Sequence, residues 1–274
     1  MTPTAEARAV AAECARMWRQ AFGARMLAAY MMGSLAHGGY APAVSDIDVA
    51  VVLTGTRSGD RGTADELAGR LRRRGGRYGS VSVFWASLPA LRDGRDDGRF
   101  PAIDRLDCAR HGRLLLGDDV RGQIVRPSVR QLQLDSSAFA LAVLGTDEVV
   151  SEFHRPRRLL TDPVWFTKAV LFPVRFQYSG ASAEPRVAGN DEAIAWYLAR
   201  PSPVAAPLVR EAARVRSGAP LDPARALPAL TAGLTALYAA YLDDQTRRLR
   251  TLGAPDDLVA GFVRWRDRLS PPDH

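Results

Sequence analysis

Two short apolar runs, each broken by a polar pair, narrow what this chain can fold into. The first ends in Gly33-Ser34, and after eleven intervening residues Asp46 and Asp48 open the second, which reads Ile47 to Leu53. The second run does not alternate and is rich in Val, so it predicts a strand buried on both faces. Residues i and i+2 of a strand share a face, so both carboxylates leave together at its start. Two adjacent anions on an apolar strand are costly if buried without partners. A hard divalent cation between them removes that cost, and Mg²⁺ favours one or two carboxylates together with phosphate oxygens. Gly33 allows close backbone approach to a ligand, and the Ser34 hydroxyl with its neighbouring amides suits phosphate oxygens. Ser45 stands ready to orient Asp46 or to touch phosphate. Taken alone, Ser-Asp-Ile-Asp is equally a turn followed by a strand with one exposed aspartate. The upstream Gly-Ser tips the balance toward a site.

Composition sets outer limits. The chain has 274 residues, 47% hydrophobic and 24% charged, which suits two small soluble domains or one large one. No apolar run approaches the length of a membrane helix, and the N-terminal stretch with Glu6 and Glu13 does not read as a signal peptide. With Cys14 and Cys108 isolated from each other, a reducing cytoplasm is the expected setting. Net charge is +7, and Lys168 is the single lysine. The clusters at Arg70 to Arg74, Arg155 to Arg158 and Arg247 to Arg250 lack interleaved aromatic residues, so solvated helix faces are favoured over a nucleic-acid surface.

Periodicity predicts helices over 4–22, with a start signal at Thr4, and over 64–74, ended by Gly75-Gly76. It predicts strands over 26–32, 46–53 and 81–86. A helix over 102–111 leads to a short strand over 113–116. The stretches 54–62 and 91–101 read as loops. Pro127 marks a change of domain, beyond which 132–153, 163–178, 191–199, 204–217, 223–252 and 255–269 read as helices. The expected architecture is a small mixed α/β (α+β) domain, residues 1–126, then an all-helical domain, 127–274. A ligand cleft between the two is the expectation.

Met32-Gly33-Ser34 and Val44-Ser45-Asp46-Ile47-Asp48-Val49 resemble the signature of the nucleotidyltransferase superfamily that includes DNA polymerase beta. Within it the chain is most similar to the aminoglycoside adenylyltransferases acting on streptomycin and spectinomycin. Cys108 to Val120, Val174 to Gly180, Asn190 to Pro201 and Val209 to Gly218 extend the similarity across most of residues 25–245. The resemblance implies an N-terminal nucleotidyltransferase fold and a helical substrate-binding domain. It implies Mg²⁺-dependent transfer of a nucleoside monophosphate from a triphosphate, ATP by preference, to a hydroxyl or other oxygen of a small molecule. Asp46 and Asp48 would hold metal, and Gly33, Ser34 and Ser45 the phosphates. Lys168 and Arg175 are candidates for neutralising pyrophosphate.

The chain also departs from the family. The third carboxylate, on the third strand, corresponds to Ser82, which cannot act as a general base at neutral pH. The phosphate-contacting lysine corresponds to Asn190, and a family tyrosine to Arg216. The acids that grip a polycationic drug fall near Trp165 and Phe166. Three readings therefore stand. The metal pair suffices for slower chemistry or an already ionised acceptor; another acid enters from Asp93, Asp96, Asp97, Asp104 or Asp107; or catalysis is lost and nucleotide binding kept. A transferase acting on RNA or protein is a further alternative.

Among other residues, His37 reads as a polar loop histidine and His111 as a cation suited to a helix end. His154 has no acid–base partner visible in the sequence. No zinc-type ligand spacing and no Walker-type loop is evident. Trp165, Trp196, Trp265 and Trp85 are expected in the core.

Overall fold

The computed structural model describes residues 1–269, so the last five positions of the predicted helical domain lie outside the described residues. Contacts group the chain into two compact units, Met1–Pro127 and a second that begins at Ser128.

The first unit opens with α1 (Pro3–Phe22). Its cap is Thr2 rather than the expected Thr4: the Thr2 hydroxyl accepts from the Ala5 amide at 3.3 Å, and Pro3 takes the first turn, where its missing N–H costs nothing. Strand β1 (Met26–Met31), helix α2 (Gly33–His37) and strand β2 (Ile47–Leu53) follow. Helix α3 (Asp60–Arg74) begins inside the stretch expected to be a loop and ends at Gly75. After β3 (Val81–Ser87), part of the second expected loop is instead helix α4 (Leu88–Arg92). Ser87 supplies its cap, and a proline in the first turn favours helix over loop. Helix α5 (Ala102–His111) and strand β4 (Arg113–Gly117) complete the unit.

The four strands form one mixed sheet in the order β3-β2-β1-β4. β1 runs antiparallel to both β2 and β4, whereas β2 and β3 are parallel. One face of the sheet buries Ala29, Met31, Val49, Val51 and Trp85 against Trp18 of α1 and Leu67 of α3. The other buries Ala28, Tyr30, Ala50, Val52 and Ala86 with Leu91, Phe100 and Cys108. Interior β2 is therefore covered on both sides, which explains why its sequence shows no alternation. Trp85 is core, as expected.

The described residues of the second unit form helices joined by loops, with no strand. It contains α6 (Val129–Val143), α7 (Asp147–Phe153), α8 (Pro163–Gly180), α9 (Asn190–Leu198), α10 (Ala206–Arg216), α11 (Pro223–Thr251) and α12 (Asp256–Arg268). The single helix expected over 132–153 is two: the Leu144 and Gly145 amides both bond back to the Ala140 carbonyl, closing α6, and Thr146 caps α7. Gly145 is forced, since a Cβ there would stand 2.8 Å from the Leu141 carbonyl. Trp265 is fully buried among Tyr238, Tyr241 and Phe262. Trp165 and Trp196, expected in the core, are half-buried. No helix among the described residues is long and apolar enough to cross a membrane.

Candidate functional site

The sheet brings Gly-Ser and Asp-x-Asp to one end of its two interior strands. β1 ends at Met31, and the Met32 amide donates to the Asp48 carbonyl at 2.9 Å, locking the first turn to the start of β2. Gly33 then takes φ +60°, the left-handed region that glycine tolerates best. A Cβ at Gly33 would fall 2.2 Å from Asp48 Oδ2. The Asp48 carboxylate therefore lies directly over the bare glycine backbone. Asp46 stands two residues earlier, immediately before β2, and both aspartates are half-buried. The Ser45 hydroxyl accepts from the Ala41 amide at 3.1 Å, across the loop that leads to Asp46.

Asp48 and Ser82 are register partners in the parallel β2/β3 pair, so their side chains share a face. Ser82 does occupy a position beside the aspartate strand. Its Oγ accepts from Arg99 Nη2 at 3.3 Å, and the same guanidinium donates to the Val83 carbonyl and lies 5.2 Å from the Phe84 ring centroid. Ser82 thus has the Arg99 cation as a hydrogen-bond partner and Asp48 as its register partner.

Of the alternative acids, three are tied into the loop. Asp93 pairs with Arg95. Asp96 accepts from the Gly98 and Phe100 amides. Asp97 accepts from the Ser87 amide and hydroxyl and from Thr56; these bonds overcome the opposing effect of burial and hold its carboxyl below the usual value. Asp107 is joined to the Gly-Ser turn by a direct bond. It is buried on α5, and its Oδ2 accepts from the Gly33 amide at 2.8 Å. Its Oδ1 lies 2.5 Å from His37 Nε2. His111, one helical turn after Asp107, sets its ring 4.6 Å from that of His37 at 62°. Donor atoms of His37, Asp107 and His111 all fall within 4.8 Å of one another. From the sequence His37 reads as a polar loop histidine and His111 as a helix-end cation; the structure places His37 at the end of α2 instead, keeps His111 at the end of α5, and groups both with Asp107. The i, i+4 pair on α5 was the available signal; its third member lies 70 residues away in sequence. Burial pushes the adjacent Cys108 thiol up, which keeps it protonated and out of the cluster's chemistry.

The remaining candidates lie in the second unit. Lys168 and Arg175 are two helical turns apart on α8 and so share a face. Asn190 opens α9, and its neighbour Asp191 accepts from Arg216 Nε at 3.2 Å. Arg216 is buried and ends α10. Phe166 is buried, while the Trp165 indole donates to Glu152 Oε2 at 2.8 Å. An acid is thus delivered to the Trp165 region from α7, which the sequence reading did not find. His154 Nε2 lies 3.0 Å from the Arg268 carbonyl.

No protein-family model matches the chain, and no curated protein sequence does. Among solved structures, the chain is similar to a crystal structure of spectinomycin adenyltransferase AAD(9) from Enterococcus faecialis with ATP and spectinomycin. The TM-score is 0.54 at 12% identity, over 93% of this chain and 95% of the other. The fold is accordingly nucleotidyltransferase-like: a mixed α/β sheet unit followed by a helical region.

Proposed function

We propose that the chain is a nucleotidyltransferase that moves a nucleoside monophosphate, from ATP by preference, to an oxygen of a small molecule. The observation that carries this reading is the seating of the Asp48 carboxylate on Gly33, with Asp46 beside it. The fold's likeness to an adenyltransferase crystallised with ATP and spectinomycin supports it. An aminocyclitol or a related polyhydroxylated amine is the acceptor class to test first.

Asp46 and Asp48 fit Mg²⁺: two oxygen donors of the right hardness stand at the start of β2, next to the Gly33-Ser34 turn. Bound there, the ion would neutralise phosphate charge and orient the triphosphate. The chain's own part is placement. The Gly33-Ser34 turn, pinned to β2 through Met32, offers a close backbone surface to the phosphates. In the reaction an acceptor oxygen attacks the α-phosphorus in line, the bond to pyrophosphate breaks, and pyrophosphate departs with the negative charge. The acceptor's proton passes to water or is absent at the start, because Ser82, held by Arg99, cannot take it. Asp107 is already engaged by Gly33 and His37. A slow transferase, or one whose acceptor is ionised, follows.

The Ser82–Arg99 pairing favours one second reading, a protein that binds nucleotide without turnover. The two separate in a single assay. Incubation with Mg²⁺, ATP and a panel of aminocyclitols should release pyrophosphate, and Asp46→Ala should abolish it. Nucleotide binding with no pyrophosphate for any acceptor would favour the second reading, and neither binding nor release would sink both.

A further inference from the structure

We propose that His37, Asp107 and His111 form a binding site for a transition-metal ion of the zinc kind, separate from the aspartate pair on β2. The site does not depend on the nucleotidyl-transfer reading. Its donor set is two imidazoles and one carboxylate, a combination that suits Zn²⁺ and leaves a coordination position open. Hard Mg²⁺ prefers oxygen donors, so the two sites differ in the ions they select.

The fold prepares this cluster. His37 is the last residue of α2 and His111 the last of α5, so both imidazoles emerge from helix C-terminal ends, where a cation is favoured. Each is fixed by a glycine. Gly38, at φ +91°, returns its amide to the Ser34 carbonyl. Gly112 returns its amide to Cys108, and a Cβ there would stand 2.6 Å from that carbonyl. Asp107 and His111 share a face of α5 at i, i+4 spacing. The carboxylate is buried, whereas both histidines belong to exposed residues, so an ion can enter from solvent. The Gly33 amide holds Asp107 Oδ2 and leaves Oδ1 directed at His37, the kind of outer contact that orients a metal-ligating carboxylate.

Donor atoms around a tetrahedral Zn²⁺ lie roughly 3.4 Å apart, given bond lengths near 2.0–2.1 Å. The His37–Asp107 separation of 2.5 Å would open slightly, and the donors, all within 4.8 Å, would draw in.

The test uses the full chain, stripped with EDTA and titrated with Zn²⁺ in a millimolar excess of Mg²⁺. A single equivalent of Zn²⁺ should bind, and Co²⁺ in its place should give the visible absorption of a low-coordinate site. His37→Ala and His111→Ala, both at exposed positions, should each weaken Zn²⁺ binding by more than about tenfold, and so should Asp107→Asn, which keeps an acceptor for the Gly33 amide. The double variant Asp46→Asn with Asp48→Asn should bind Zn²⁺ as the parent does. No Zn²⁺ uptake by the folded parent, uptake unchanged in both histidine variants, or uptake lost in the aspartate double variant would each overturn the proposal. None of these results depends on whether pyrophosphate is released.

Discussion

Gly33 and Asp48 meet so closely that a single methyl group on the first would collide with the carboxylate of the second, at 2.2 Å from Oδ2. Gly33→Ala also places an L side chain at φ +60°, a cost of about 1–2 kcal/mol before any clash. The expected outcome is a lower melting temperature and a loss of pyrophosphate release of roughly a hundredfold, as displaced reacting groups commonly give. Differential scanning fluorimetry and a pyrophosphate assay check the two halves. A variant as stable and as active as the parent would contradict the contact.

Ser82 shares its sheet position with Asp48 but is held by Arg99. Ser82→Ala should leave turnover within about threefold of the parent, whereas removal of a true general base costs roughly 10²-fold or more. Steady-state kinetics with a competent acceptor decide. A hundredfold fall would return the serine to the chemistry.

Tyr30, on β1, anchors the segment that follows β4. Its buried hydroxyl accepts from the Val120 amide at 2.7 Å and donates to Asp119 at 3.2 Å. Tyr30→Phe leaves a buried amide without its acceptor, which should cost about 1–3 kcal/mol in urea unfolding. A change near zero would mean that water replaces the phenol at no cost.

Glu211 is buried in the second unit, and the Arg214 guanidinium at 2.6 Å, against the opposing effect of burial and with help from Arg225, holds its carboxyl below the ordinary value of 4.5. A depressed folded-state pKa stabilises above the unfolded value and is lost as pH falls through the folded one. The gap in melting temperature between the parent and Glu211→Gln should stay constant from neutral pH down to about 4.5 and narrow below it. A gap that widened in acid would reverse the sign of the account.

How much of this could be read in advance differs by element, for physical reasons. The Ile47–Leu53 strand was legible because burial on both faces leaves an unbroken apolar run. The cap of α1 was misplaced by two residues because Thr2 and Thr4 are chemically equivalent caps and only the fold selects one. The break between α6 and α7 was missed because Gly145 can end a helix or sit inside one, and its crowding against Leu141 is a tertiary fact. Asp46, Asp48 and Gly33 were readable as a motif, but the collision that ties Gly33 to Asp48 was not. The His37–Asp107–His111 cluster was half visible as an i, i+4 pair. Its other half needed the packing of α2 near α5. Arg99 at Ser82 carried no signal, since an arginine in a Gly- and Asp-rich loop reads as solvated.

The most direct test of the central claim is the binding of ATP to the full chain, measured by calorimetry with and without Mg²⁺, for the parent and for Asp48→Asn. The account predicts binding by the parent that requires Mg²⁺ and weakens by more than about tenfold when Asp48 loses its charge. Folded parent protein that ignores ATP, or that binds it equally well without the ion and without the carboxylate, would contradict it.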